Sequence, residues 1–123
     1  MPTRKSRRWV FTLNNYTEDE YTEICSRLSE TMAVSLRYAV VAKETGDSGT
    51  PHLQGYFSSG KEYTFKQAKA LISDKAYLSE AKGSDEDNQT YCTKQPDYVE
   101  FGTPRGKGGR TDLDRLCRAI KDG

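Results

Sequence analysis

The side chains best suited to metal chemistry lie around the chain's only histidine. His52 belongs to the stretch Pro51–Gly55 (PHLQG), which is predicted to be extended. Because successive side chains of a strand point to opposite faces, His52 and Gln54 share one face while Leu53 points into the other layer. An imidazole beside an amide oxygen can hold a metal ion. The alternative is a strand whose polar face meets water, and an isolated histidine is common enough to favour it.

Glu44 adds a carboxylate to this predicted site. A strand predicted over Leu36–Glu44 is followed by the loop Thr45–Pro51, whose glycines suit a hairpin turn. If the two strands form a hairpin, Glu44 lies close to His52 and Gln54. One carboxylate, one imidazole and one amide oxygen make a mixed nitrogen and oxygen site, which suits Mg²⁺ or Mn²⁺ far better than structural zinc.

A candidate nucleophile occurs in the stretch Tyr91–Lys94 (YCTK). The capping pattern Ser84–Asp87 predicts a helix that runs to about Gln95. Residues three apart share a helix face, so Tyr91 and Lys94 can converge on one small volume. A phenol is a poor nucleophile at neutral pH, but a neighbouring cation favours the phenolate. Alone the pair is a weak signal, because the chain has eight tyrosines.

The elements that must position these residues alternate along the chain as β-α-β-β-α-β-α-β. Alternation of aromatic and β-branched residues predicts the strands, and capping boxes predict the helix starts. This order indicates an α+β fold, an antiparallel sheet flanked by helices, and not a doubly wound parallel sheet. The predicted strands are Arg8–Leu13, Leu36–Glu44, His52–Ser58, Ala76–Ala81 and Tyr98–Phe101, and the helices begin at Thr17, Thr64 and Ser84.

The length of 123 residues suits one domain, which we predict to span residues 1–101. The stretch Gly102–Gly109 (GTPRGKGG) has the composition of a linker. A further helical pattern begins at Thr111 and stops at Gly123 without a folded partner. We therefore expect residues 102–123 to be a linker and the start of a truncated C-terminal region of a longer protein.

Nineteen basic residues against eighteen acidic ones give a formal charge of +1, which argues against nucleic-acid binding by bulk charge alone. Four basic residues nevertheless open the chain, in the run Arg4–Arg8. Arg7 and Arg8 are the candidates there for contacts to phosphates. Solvated terminal charge is an equally good interpretation of that run.

Three cysteines without CxxC spacing indicate free thiols in a reducing compartment. No apolar stretch approaches the roughly 20 residues of a membrane span, and no signal-peptide pattern opens the chain. We expect a soluble, intracellular protein with no membrane partner.

Three short motifs, taken together, carry a more specific signal. Phe11–Asn15 (FTLNN), Pro51–Gly55 and Tyr91–Lys94, in this order and at these spacings, strongly resemble the motifs of circovirus-type replication initiators. Those proteins are HUH endonucleases of small circular single-stranded DNA viruses. The resemblance covers about Arg7–Gly109 and implies the HUH-endonuclease topology, which is RRM-like (ferredoxin-like). Each motif is weak alone, but three in register with Glu44 upstream are specific.

The resemblance implies a role for each candidate residue. A divalent cation, Mn²⁺ or Mg²⁺, is expected on Glu44, His52 and Gln54. Tyr91 is expected to be the attacking nucleophile and Lys94 its positioning or charge-stabilising partner.

The resemblance also bears on neighbouring residues. Asn14 in the first motif is expected to help hold the DNA. Gln54 stands where the broader superfamily has a second histidine, which implies a preference for a harder metal ion. Gln95 follows Lys94 where many relatives carry an acidic residue, so we leave it out of the ligand set.

The implied reaction is the nicking and joining of single-stranded DNA at an origin stem-loop. Attack by Tyr91 leaves a 5′-phosphotyrosine and a free 3′-hydroxyl that primes rolling-circle replication. Full-length relatives carry a helicase domain after a linker, so an oligomeric protein in the host nucleus is expected. This chain has no GxxxxGK[ST] phosphate loop of its own.

Two other interpretations stay open. A non-catalytic RRM-like module could stack bases on Trp9, Phe11, Tyr56 and Phe57. The chain has no match to the RNP1 pattern, and the alternation of Trp9, Phe11 and Leu13 favours core packing. A Mg²⁺-dependent nuclease that uses water is the second alternative, with Tyr91 incidental.

Overall fold

Eight elements follow one another in the predicted order in the computed structural model, which describes residues 5–46 and 49–104. The predicted linker Gly102–Gly109 lies largely outside the described residues, and the helical pattern from Thr111 to Gly123 lies wholly outside them. No helix among the described residues is long and apolar enough to cross a membrane. The elements are β1 (Lys5–Asn14), α1 (Glu18–Met32), β2 (Leu36–Thr45), β3 (Pro51–Thr64), α2 (Phe65–Leu71), β4 (Tyr77–Glu80), α3 (Asp85–Cys92) and β5 (Tyr98–Gly102).

The five described strands form one antiparallel sheet in the order β4-β1-β3-β2-β5. The first four follow the β4-β1-β3-β2 order of an RRM-like fold, and β5 extends the sheet beyond β2. Helices α1 and α2 pack on one face through Ile24, Leu28 and Ala68. Helix α3 packs on the other face, where Cys92 meets Tyr38. The predicted α+β fold class is confirmed.

The three helices begin where their capping boxes predict. In each box the N-cap side chain accepts a hydrogen bond from the backbone N–H three residues later, and that residue's side chain accepts one in return. Each box satisfies backbone donors that a helix start otherwise leaves unpaired. The boxes are Thr17–Glu20, Thr64–Gln67 and Ser84–Asp87.

Three element bounds differ from the prediction by three residues or more. Strand β1 begins at Lys5 and not at Arg8, and β3 continues past Ser58 to Thr64, because the two strands pair again beyond an irregularity. Helix α3 ends at Cys92 and not near Gln95. The chain leaves the helix there because the following residues bond to β2, as described below.

The aromatic residues of β1 and β3 are buried. Trp9 and Phe11 pack with Phe57 in the main core, and Tyr56 lies in a second buried cluster beneath α3. All four are at most 1% exposed, so none offers a face for base stacking. Core packing, the favoured interpretation of Trp9 and Phe11, is confirmed.

Gly55 connects the first two sequence motifs through this core. It lies opposite Phe11 in the β1–β3 register, and a Cβ atom added to it would come within 2.1 Å of the Phe11 ring. A glycine in a strand often marks such a close approach. The ring therefore occupies the volume that any larger residue at position 55 would need.

We predict that Gly55→Ala lowers the free energy of unfolding by about 1–3 kcal/mol, because the added methyl group overpacks the Phe11 ring. Urea denaturation measures the change. Gly60→Ala is the matched control: its nearest contact would be an ordinary 3.6 Å, so it should be neutral or slightly stabilising. Equal unfolding midpoints for the two variants would contradict this packing.

Candidate active site

The sheet register brings the predicted ligands to one end of one face. Asn14 on β1 and Glu44 on β2 both lie opposite His52 on β3, which makes a row across three strands. The next row along the same face contains Thr12 and Gln54. The hairpin predicted between Glu44 and His52 is therefore present, with Thr45 opposite Pro51 at its end.

Glu44 and His52 are in direct contact. Atom Oε1 of Glu44 lies 3.3 Å from Nε2 of His52, and the two side chains are 4% and 19% exposed. The second carboxylate oxygen, Oε2, is buried and accepts no hydrogen bond from a described residue. The Lys94 ammonium faces it at 3.5 Å as an ion pair without hydrogen-bond geometry. A cation bound between Glu44 and His52 would compensate the buried carboxylate more closely.

Gln54 is held over β1. Its Oε1 accepts a hydrogen bond from the Thr12 hydroxyl at 3.3 Å, and its Nε2 donates to the Phe11 carbonyl at 3.4 Å. The amide oxygen would have to turn away from Thr12 to ligate a cation beside His52. Within the described part of the chain, no three residues of the types His, Cys, Asp and Glu could hold a metal ion together. A site here therefore depends on an amide oxygen as well as Glu44 and His52.

Lys94 connects the carboxylate to the candidate nucleophile. Its Nζ lies 3.5 Å from Oε2 of Glu44, 4.0 Å from the ring centroid of Tyr91 and 3.3 Å from the Tyr91 carbonyl oxygen. The expectation that Tyr91 and Lys94 share a helix face is wrong, because α3 ends at Cys92 and Lys94 lies in the following turn. The ammonium group nevertheless reaches the Tyr91 ring, which is 55% exposed.

The turn after α3 is bound to the end of β2, a feature that the sequence reasoning missed. The Lys43 N–H donates to the Asp97 carbonyl at 2.8 Å, and the Thr45 N–H donates to Oε1 of Gln95 at 3.4 Å. The donors flank Glu44 on β2, and the acceptors lie just after Lys94 on the turn. Pro96 signals the end of the helix in the sequence, but no local signal shows which strand the turn would join.

The predicted DNA contacts lie at two different places. Asn14 is exposed at the end of β1, in the row of His52. Arg8 lies opposite Ser58, six residues along β3 from His52, or about 20 Å at the rise of a strand. Arg7 and Arg8 belong to β1 and not to a free arm. They are therefore remote from Glu44 and His52.

Comparison with known proteins assigns the family. The model of a family described as putative viral replication protein matches residues 6–95. The chain belongs to this family. It is 42% identical over 120 residues to the replication-associated protein of pigeon circovirus, and the match covers 96% of this chain and 36% of that protein. It is 37% identical over 130 residues to the replication-associated protein of porcine circovirus 2, a match that covers 98% of this chain and 40% of that protein. It is 40% identical over 126 residues to the replication-associated protein of beak and feather disease virus, a match that covers 100% of this chain and 42% of that protein.

The chain thus spans about two fifths of the length of these relatives. The matched region contains the three motifs, Glu44 and the whole of α3. The resemblance to circovirus-type replication proteins is confirmed. The roles of individual residues stay predictions.

Cys92, the nearest neighbour of Tyr91 along the chain, is not a second nucleophile. Its side chain is fully buried against Tyr38 and Tyr56. Burial, and secondarily the nearby Glu44 carboxylate, raise the pKa of the Cys92 thiol to about 12. The thiol therefore stays protonated at neutral pH and serves to seat α3 on the sheet, which leaves Tyr91 outward.

We predict that Cys92 resists alkylation in the folded protein. At pH 8 a thiol with a pKa near 12 is only about 10⁻⁴ ionised, and the thiolate is the reactive form. Iodoacetamide should therefore modify Cys92 at least about a hundredfold more slowly in buffer than in urea. Peptide mass mapping follows this residue separately from the other cysteines. Equal rates in buffer and in urea would show that the Cys92 thiol is not buried between α3 and the sheet.

Proposed function

We propose that this chain is the domain that nicks and joins single-stranded DNA at a viral replication origin through a covalent bond to Tyr91. The observation that carries the proposal is the position of Lys94, whose ammonium group contacts both the Glu44 carboxylate and the Tyr91 ring. It brings an exposed phenol beside the Glu44–His52 pair on one face. Membership of the viral replication protein family supports the same assignment.

The proposed cation is Mn²⁺ or Mg²⁺, held by Glu44, His52 and the amide oxygen of Gln54. The buried Glu44 carboxylate, whose Oε2 has an ion pair with Lys94 but no hydrogen bond from a described residue, supports a cation at this position. Carboxylate and amide oxygens favour hard divalent ions. When bound, such an ion would withdraw charge from a non-bridging oxygen of the scissile phosphate.

The proposed reaction is a transesterification. The Tyr91 oxygen attacks phosphorus in line, the bond from phosphorus to the 3′ oxygen breaks, and a 5′-phosphotyrosine forms. The phenol proton is lost, and the released 3′ oxygen takes up a proton to become a hydroxyl. The Lys94 ammonium would stabilise negative charge at the reacting centre. Because the phosphodiester is exchanged and not hydrolysed, the reverse attack rejoins strands without ATP.

The proposal extends to the partners of the whole protein. The substrate is the single strand of an origin stem-loop, and the 3′-hydroxyl primes rolling-circle replication in the host nucleus. A C-terminal helicase domain and an oligomeric state belong to the same proposal. Of the two alternatives, the stacking module loses support because Trp9, Phe11, Tyr56 and Phe57 are buried. The second alternative, a nuclease that uses water as nucleophile, would use the same cation site. An experiment on Tyr91 distinguishes it from the proposed function.

Tyr91→Phe removes one oxygen and keeps the ring beside Lys94. We predict that it lowers nicking of an origin-like oligonucleotide with Mn²⁺ by at least about a thousandfold, because the nucleophile is gone. The band of protein bound covalently to DNA should disappear from a denaturing gel. Tyr77→Phe is the control, since it removes a more exposed hydroxyl from β4 and should nick normally. If Tyr91→Phe still cleaves and leaves free 5′-phosphates, water is the nucleophile.

His52→Ala should abolish cleavage and also the stabilisation of the folded protein by Mn²⁺. An ion at a hundred times its Kd adds about 2.7 kcal/mol to the free energy of unfolding. We expect wild type and Glu62→Gln, a control at an exposed carboxylate of β3, to show this increase. His52→Ala and Glu44→Gln should not. Thermal denaturation with and without Mn²⁺ measures it, and undiminished stabilisation of His52→Ala would remove His52 from the ligand set.

A further inference from the structure

Three arginines line a cleft of about 220 Å³ at the end of the sheet remote from His52. Its wall includes Arg7, Arg8, Arg37, Ser58 and the N-terminus of α3 at Asp85. All three arginines are exposed, whereas Ser58 and Asp85 are buried. The cleft opens on the same sheet face as the Glu44–His52 pair, because Ser58 lies an even number of residues along β3 from His52. We call it the arginine cleft.

Irregularities in two strands gather the arginines there. On β2, Leu36 pairs with Ser59 and Tyr38 with Ser58, so Arg37 is an extra residue in the strand. Where β1 pairs with β3, the register shifts between Ser6, opposite Tyr63, and Arg8, opposite Ser58. The extra residues there belong to β3, and Arg7 lies within the shift. Such bulges bend a strand and redirect its side chains.

The two redirected guanidinium groups meet at the same point of β3. Arg7 Nε donates a hydrogen bond to the Gly60 carbonyl at 3.4 Å. Arg37 Nε would lie 3.6 Å from a Cβ atom on that glycine. Arginines from the two strands that flank β3 therefore approach Gly60, each beside an irregularity in the pairing with β3. Their convergence on one point indicates a site and not scattered surface charge.

The cleft stays basic after its own acidic group is counted. Asp85 is the one carboxylate among its lining residues, and it accepts a hydrogen bond from the Tyr56 hydroxyl at 2.5 Å. Burial, and secondarily that bond, raise the pKa of Tyr56. Arg8 donates to the Gly83 carbonyl, which places its guanidinium at the start of α3. Three cations against one anion favour an anionic ligand.

Ser58 supplies a further polar group to the cleft. The residue is 5% exposed, and its Oγ is buried without a hydrogen bond of normal geometry to any described residue. Its neighbour is the Tyr56 hydroxyl, whose own proton is directed to Asp85. The Ser58 proton can therefore turn to the Tyr56 oxygen or to a phosphate oxygen in the arginine cleft.

We propose that the arginine cleft binds a backbone phosphate of the DNA strand that lies along this sheet face, several nucleotides from the scissile phosphate. This inference rests on the proposed function for the identity of the strand. The separation of about 20 Å along β3 is long enough for several nucleotides of a single strand. A phosphate contact there positions the strand without reading its sequence. The cleft would set which phosphate reaches Tyr91.

The test is DNA binding without metal, so that it does not depend on nicking. Fluorescence anisotropy of an oligothymidylate in EDTA is measured over a range of salt concentrations. Arg37→Gln and Arg7→Gln should each bind several-fold more weakly at low salt. Each should also flatten the slope of log affinity against log salt by about 0.7, the value for one phosphate contact to a single strand.

The matched control is Lys66→Gln, which removes one exposed positive charge from α2 on the opposite face. It should leave both affinity and slope at the wild-type values. Slopes for Arg37→Gln and Arg7→Gln that equal the Lys66→Gln slope would overturn the proposal. Failure of wild type to nick DNA would count against the proposed function alone, since the binding slopes are measured without catalysis.

Two further measurements separate a ligand site from a structural role and from another source of phosphate. Ser58→Ala should weaken oligothymidylate binding with little change in melting temperature, because Ser58 makes no hydrogen bond of normal geometry to a described residue. Inorganic phosphate at constant ionic strength should displace the strand no better than chloride does. If millimolar phosphate displaces the oligonucleotide from wild type but not from Arg37→Gln, the cleft takes a free phosphate monoester and the DNA assignment is wrong.

Discussion

A carboxylate with 4% side-chain exposure lies where β1, β2 and β3 bring their ends together. Burying a charge costs several kcal/mol unless other groups compensate it. The groups around the Glu44 carboxylate must therefore offset the free energy cost of its burial. His52 meets one oxygen because the hairpin register places it directly opposite. Lys94 approaches the other oxygen because the turn after α3 is bound to the end of β2. The position of Tyr91 follows from that of Lys94.

The sequence motifs place residues on both faces of the sheet, and the residues on the two faces have different roles. Phe11 and Gly55 fit together on the core side, and Thr12 and Gln54, their neighbours in the chain, meet on the opposite side. A motif residue therefore need not touch substrate to matter for the site. Packing on one face sets the strand register, and the register aligns side chains on the other.

Local patterns were sufficient to predict most of the fold. The capping boxes predicted the helix starts, and the alternation of Trp9, Phe11 and Leu13 predicted a buried strand face. These local patterns could not predict which segments distant in the chain would bond to each other. The early end of α3 depends on bonds from Lys43 and Thr45 to a turn some fifty residues away in the chain.

The terminal arginines show the same limit. The sequence pattern started the first strand at Arg8, whereas Arg7 also lies in β1 and lines one cleft with Arg8 and Arg37. No sequence pattern predicts the register shifts beside that cleft. The contact between Glu44 and His52 could be predicted because one hairpin contains both residues. The contact between Glu44 and Lys94 could be suspected only from the family resemblance.

The central claim is that the Glu44–His52 pair, Lys94 and Tyr91 form one nicking site. Peptide mapping by mass spectrometry of wild-type protein trapped on a cleaved origin-like strand tests it most directly. The account predicts a nucleotide attached through phosphate to the peptide that contains Tyr91, and to no other tyrosine peptide. An adduct on a different residue, or cleaved DNA with free 5′-phosphates and no adduct, would contradict it.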